Sequence, residues 1–202
     1  EECLHNDTIV YICDSLDLDI NEVYEAYNTI PSIKAKDDFL MSVTKGLGKD
    51  IDTTTIQGQQ ELIKGAFIFW IVCEGTFFFS GFAMLLALSK KVPGICEQIQ
   101  YTLRDESLHI QFGTTLLNKI KEQYPDAWDK ELEQELVTNL KSAVELEIQY
   151  AKDVLPRGIL GLNSEMFVDY MQFIANRRLE GLGLDFRYPN DKNPFPWLSE
   201  TI

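Results

Sequence analysis

Apolar residues recur at spacings of three and four through most of the chain, with polar residues between them, a period that only a helix gathers on one face. Residues 2–16 carry this pattern and read as a helix. Asp19 or Asn21 is placed to cap a short helix through "EVYEAYN" to the Pro31 boundary, and "KAKDDFLMSVTKGL" reads as another that ends at a glycine. After the loop "GKDIDTTT", one long helix is expected from about Gln57 to Ser89, then one opened by Pro93 and Gly94 and running to about Glu122. Pro125 stands at an expected helix start, and "AWDKELEQELVTNLKSAVELEIQYAKDVL" is apolar on one face and acidic outside. "PRGILGLN" reads as a turn, Asn163 or Ser164 caps a last helix through about Leu184, and "RYPNDKNPFPW" is an extended, proline-rich tail. No segment of useful length alternates with period two, so the expected class is all-α. With 202 residues the expectation is a single domain.

One stretch departs from amphipathic patterning. "GAFIFWIVCEGTFFFSGFAMLLALS" is apolar on every side and long enough to span a bilayer, yet Glu74 sits in its middle. A carboxylate at the centre of a membrane is costly, so the stretch reads as a helix buried within protein, and no membrane association is expected. Its glutamate then needs a partner.

Composition narrows the function classes. Lys+Arg 18 against Asp+Glu 32 gives a formal charge of -14, which repels nucleic acid and anionic membrane surfaces, and no basic run compensates for it. The four cysteines, Cys3, Cys13, Cys73 and Cys96, form no CxxC pair. Cys3 and Cys73 lie inside apolar helical patterns and read as reduced, buried thiols of a cytoplasmic protein. No basic segment precedes a short apolar one, so no signal peptide is expected.

The chain has two histidines, and both occupy the same local setting: Glu2-Cys-Leu-His5 and Glu106-Ser-Leu-His109. Residues three apart share a helix face, so each pair aims a carboxylate and an imidazole at one point. This is the Glu-x-x-His device of di-iron and di-manganese helical bundles, and Glu74 offers a carboxylate from a third helix. The bland alternative, solvated polar pairs on helix surfaces, leaves Glu74 as an unpaired charge among phenylalanines. Phe77, Phe78, Phe79 and Phe82 read as core packing that also forms a dry wall beside such a site. Bundles of this kind use four carboxylates and two histidines, with one carboxylate on a helix before each Glu-x-x-His helix. Glu74 precedes the second pair and nothing precedes the first; Glu145 and Glu147 sit on what reads as a surface-amphipathic helix. The chain is therefore expected to lack its first helices, which would carry the sixth ligand.

"CEGTFFFSGFA", "YTLRDESLH", "DYMQFIANRRLEGLGL" and "NPFPW" together resemble the radical-generating small subunit of class I ribonucleotide reductase, over nearly the whole chain. The resemblance implies a ferritin-like helical bundle, a homodimer, and a large subunit that reduces ribonucleotides to deoxyribonucleotides. It implies Glu2, His5, Glu74, Glu106 and His109 as ligands of a dinuclear metal centre that is activated by oxygen and stores a one-electron oxidising equivalent. It also places an electron-transfer tryptophan in the part upstream of Glu1 and a docking tail beyond Ile202. Asp105 matches an aspartate that accepts a hydrogen bond from a ligand histidine and helps carry protons and electrons. Phe78 and Phe82 match the hydrophobic pocket beside the metals.

In most of that family a tyrosine, four residues after the first histidine, holds a stable radical. Here that position is Ile9, whose aliphatic side chain cannot surrender an electron and a proton. Tyr11 is two residues on and points about 200° away from it. One subclass, often called class Ic, has phenylalanine there and stores the equivalent in a manganese/iron pair; "HNDT" after the ligand glutamate and Tyr101, five before Glu106, resemble its members. Tyr101 reads equally as a packed helix residue with its hydroxyl at water. The cofactor expectation is therefore Mn/Fe before Fe/Fe. The rivals are a ligand-binding Mn/Fe oxidase on the same scaffold and a ferritin-like metal-binding protein.

Overall fold

Side-chain caps decide where several of the helices begin. Asp19 accepts from Asn21 N, Thr55 from Gly58 N, Asp129 from Leu132 N and Asn163 from Met166 N, each occupying an amide that the first helical turn leaves without a partner. The computed structural model describes residues 2–45, 50–159 and 161–198. In chain order its elements are α1 (Glu2–Ser15), α2 (Ile20–Tyr24), α3 (Ala26–Thr29), α4 (Pro31–Val43), α5 (Ile56–Phe67), a π-helical segment (Ile68–Cys73), α6 (Phe79–Leu86), α7 (Pro93–Gln123), α8 (Lys130–Val154), α9 (Ser164–Gly181) and a 3-10 turn (Pro196–Leu198). Among the described residues there is no strand, only an isolated bridge between Ile159 and Leu162. The all-α expectation holds.

The helix expected to run unbroken from Gln57 to Ser89 is interrupted. Glu74 N donates to Phe69 O at 3.1 Å and Phe77 N to Val72 O at 3.0 Å, bonds one residue wider than the α-helical ladder. Thr76 Oγ1 donates to Ile71 O at 2.8 Å, so a side chain takes a carbonyl from the ladder. Residues 74–78 form turns before α6 resumes. Gly75 is required there, because a Cβ at that position would lie 2.6 Å from Ile71 O.

Pro125 does not start a helix. Trp128 N bonds Pro125 O at 3.3 Å in a turn, and α8 begins only where the Asp129 side chain receives Leu132 N at 2.8 Å. The helix expected from Lys34 starts earlier, at Pro31, whose fixed φ suits a first helical position. The glycine expected to end that helix lies outside the described residues.

The core is the meeting of α8 and α9, with α4 against α8, and α5, α6 and the π segment against α7. On α8, Leu132, Leu136, Leu140, Ala143 and Val144 are buried in a stripe of threes and fours, as its pattern anticipates. Cys13 and Cys96 are buried but Cys3 is exposed, a correction to its reading as a core thiol. Of the residues on α1, only Cys13 is buried, and Cys3 falls on the outward side despite its apolar neighbours. The tail is extended and lacks its own ladder, so Asn176 stands in for one: its amide donates to Tyr188 O and Asn190 O, both at 3.1 Å, and accepts from Tyr188 N at 2.7 Å. Phe195 then folds back, 5.1 Å from the Phe167 ring and 5.0 Å from Tyr170, and is fully buried.

The tail is consequently part of the core. Phe195→Ala should cost about 3–5 kcal/mol of unfolding free energy, the range for emptying a buried aromatic site. Urea titration followed by far-UV circular dichroism measures it, and a loss under about 1 kcal/mol would show that the tail packs only loosely.

Candidate metal centre

A three-residue spacing does on α1 and α7 what it dictates locally, and the packing of α1 on α7 brings the two results together. Glu2 and His5 come from α1, Glu106 and His109 from α7, and Glu74 enters from the end of the π segment. Both imidazoles turn Nδ1 toward the carboxylates. His5 Nδ1 is 3.4 Å from Glu2 Oε2 and 3.4 Å from Glu106 Oε1. His109 Nδ1 is 3.3 Å from Glu106 Oε2, 3.8 Å from Glu2 Oε1 and 3.6 Å from Glu74 Oε2. Glu2 and Glu106 therefore each present one oxygen to either histidine, whereas Glu74 faces only His109. The ring centroids of the histidines are 6.5 Å apart. Glu2, His5 and Glu106 form one group whose ligand atoms lie within 4.8 Å of one another, and Glu2, Glu74 and His109 form another.

The electrostatics call for a cation. Glu74 and Glu106 are buried. Burial pushes the Glu74 carboxyl up to about 7, with the charge of Glu106 adding to it and His109 opposing it. Glu106 is raised as well, by burial first, with His109 lowering it. Glu74 Oε2 is buried and accepts no hydrogen bond, so this oxygen suits a cation better than it suits a core. Oxygen and imidazole donors in this number fit a dinuclear site for divalent first-row metals, with neither manganese nor iron selected by donor type.

Asp105 stands behind the cluster: its Oδ2 is 3.1 Å from His5 Nε2, the arrangement that holds the ring with Nδ1 toward the carboxylates. Tyr101, one turn earlier on α7, is half-exposed, with the Arg104 guanidinium 5.9 Å from its ring centroid. Ile9, one turn beyond His5, is 41% exposed. Phe78 is 40% exposed and meets buried Phe82 edge-on at 6.1 Å. Burial holds the Cys73 thiol up at about 11, with the adjacent Glu74 charge adding to it, so it stays protonated at neutral pH.

The sequence pointed to none of Trp70, Lys36, Glu147 or Arg178. Trp70 lies edge-on to His109 at 6.0 Å and to Phe112 at 5.3 Å. Gly113 makes room for it, since a Cβ there would come 2.2 Å from the Trp70 Cβ. Glu147, expected on a solvated face, is fully buried. Its Oε1 pairs with the Lys36 ammonium and its Oε2 accepts from Ser80 Oγ. The signal was its register: Glu147 follows Ala143 by four and Val144 by three, on the buried stripe of α8.

Comparison with known proteins agrees with this geometry. A family model described as ribonucleotide reductase, small chain, matches residues 1–194. A ribonucleoside-diphosphate reductase subunit beta of Chlamydia pneumoniae is 51% identical over 205 residues, covering 100% of this chain and 59% of that protein. The subunit beta of Halalkalibacterium halodurans is 29% identical over 203 residues, 98% of this chain and 57% of its own length. The chain thus spans somewhat over half the length of these curated relatives. Among solved structures, a protein of Bacillus halodurans described as a class I ribonucleotide reductase superposes with a TM-score of 0.83 at 28% identity, over 100% of this chain and 71% of that one. The ribonucleotide reductase R2 subunit of Clostridium botulinum has a TM-score of 0.84 at 24% identity, over 98% of this chain and 62% of its own, and shows the shared fold.

The raised carboxyls set a pH dependence. Glu74 binds its proton more tightly folded than unfolded, so between the ordinary glutamate value of 4.5 and about 7 the native state holds the extra proton. Stability of the cation-free protein is full below that window and falls as pH rises through it. Thermal melts from about pH 5 to about pH 8 should show this decline, and Glu74→Gln should flatten part of it. An unchanged slope in the variant would mean that Glu74 is not held in this state.

Proposed function

The chain belongs to the ribonucleotide reductase small-chain family, and from that premise we propose that it is the metal-bearing part of the small subunit of a ribonucleoside-diphosphate reductase, with Glu2, His5, Glu74, Glu106 and His109 as ligands of a dinuclear centre. The observation that carries this is the division of oxygens: Glu2 and Glu106 each face both histidines, as two carboxylates bridging a pair of ions would, while Glu74 serves the His109 side alone. When bound, such a centre supplies oxygen activation and a stored one-electron oxidising equivalent. Among the described residues the His5 Nδ1 side is faced by Glu2 and Glu106, and the His109 side by Glu2, Glu74 and Glu106.

The chain's own side chains perform the remaining tasks. Asp105 accepts the His5 Nε2 proton, fixes the ring's tautomer and stands at the exit for a coupled proton and electron. Tyr101, on the same face of α7 one turn away, is the relay residue next to Asp105. Phe82, buried and edge-on to the half-exposed Phe78, is the ring assigned to the apolar side of the site. Ile9 stands where a phenol would otherwise hold the radical, and an aliphatic side chain cannot. This favours the metals as the store and Mn/Fe over Fe/Fe. The partner is the large subunit, where substrate binds, and the protein is a cytoplasmic homodimer. A formal charge of -14 argues against nucleic acid as a partner, and among the described residues no helix is long and apolar enough to cross a membrane.

The experiment is reconstitution of the full-length protein with manganese, iron and oxygen. Electron paramagnetic resonance should show no tyrosyl signal while the large subunit turns over ribonucleoside diphosphates. Turnover with two irons only would overturn the mixed-metal assignment, and an absence of turnover with any metal pair would overturn the reductase assignment.

A further inference from the structure

The 74–78 turn carries a buried ligand carboxylate on backbone that has left the helical ladder, so something else has to fix it. Two of its carbonyls accept from cations on distant elements, Lys36 partly buried and Arg178 buried. Lys36 Nζ on α4 donates to Phe77 O at 3.1 Å, and Arg178 Nε on α9 donates to Gly75 O at 2.8 Å. Both cations are committed to this place. Lys36 is compensated by Glu147 and lies 4.8 Å from the Phe77 ring centroid and 4.7 Å from that of Tyr150. The Arg178 guanidinium is 4.7 Å from the Phe79 ring centroid, and its Nη2 is buried without an acceptor. A long, charged side chain placed partly unsatisfied in a core leaves its bond to Gly75 O as the polar contact that offsets its burial.

The geometry points to Lys36 and Arg178 as positioning residues that grip the 74–78 turn from opposite elements and so set the Glu74 carboxylate against His109. The inference rests on the metal-centre reading above and adds what holds its least regular ligand. Neither cation touches the cluster. Each acts on a backbone carbonyl, Phe77 three residues after Glu74 and Gly75 immediately after it. Glu147 and Ser80 serve the grip by neutralising and steadying Lys36, which explains a carboxylate buried at the inner face of α8.

A structural ion pair and a positioning grip are separable. The double variant Lys36→Met, Glu147→Gln removes the cation together with its counter-charge and keeps an amide for Ser80, so no buried charge is stranded. In the full-length protein it should melt cooperatively near the wild-type temperature yet bind Mn2+ roughly ten- to a hundredfold more weakly, the usual effect of losing an outer partner of a metal ligand. The readouts are Mn2+ titration and the line shape of its bound paramagnetic resonance signal. A folded double variant with wild-type affinity and line shape would overturn the inference. If the double variant does not fold, Arg178→Lys takes its place: weaker binding with an altered signal supports the grip, and wild-type behaviour overturns it. Wild-type protein that takes up no Mn2+ would overturn the metal-centre reading itself, and the grip with it.

Discussion

Three carboxylates converge where at least two of them are out of water, and the architecture follows from that constraint. Glu74 and Glu106 would repel each other and water would solvate them better than protein does. Such a cluster persists only if the bundle around it is stable without it. The largely apolar buried stripes of α8 and α9 supply that stability. The site is thus a polar fault in a bundle whose remaining contacts are mostly hydrophobic packing.

Two close approaches make the fault fit. Gly75 lets the backbone leave the α-helical ladder beside Ile71, and Gly113 lets the Trp70 indole come against α7 next to His109. A side chain at either position would push directly on an element of the cluster, the one that carries Glu74 in the first case and the one that carries His109 in the second. At the end of the wider π turn Glu74 is buried, as are Phe67 at the end of α5 and Ile68 and Ile71 within the turn. Fault and core are built from consecutive residues, and the extra hydrogen-bond spacing is what lets one run of chain serve both.

What the sequence revealed and what it hid divide along the range of the interactions. The Glu-x-x-His pairs were legible because i,i+3 neighbours meet whatever the rest of the chain does. Glu74 was legible as a lone charge in an apolar run, and the helical class followed from periodicity. The break at 68–78 was not legible: its carbonyls are satisfied by Lys36 and Arg178, 41 and 103 residues away, and no local pattern announces a donor at that remove. Glu147 was misassigned because its charge outweighed its register, although the spacing of Ala143, Val144 and Ile148 had already placed it inside. Cys3 failed the other way, apolar neighbours suggesting burial on a helix that turns most of itself outward. The Phe195 side chain illustrates the same limit, since a proline-rich tail reads as extended but its anchor lies on α9.

The shared oxygens of Glu2 and Glu106 have a mechanical consequence. Helix α1 sinks only Cys13 into the core, so little hydrophobic area fastens its first turn, and Glu2 is itself mostly exposed. That turn meets the body through charges of like sign and two imidazoles. Like charges there press α1 and α7 apart, and whatever positive charge faces them draws the two helices together. The first turn of α1 is therefore held by charge, where α8 and α9 are held by apolar area.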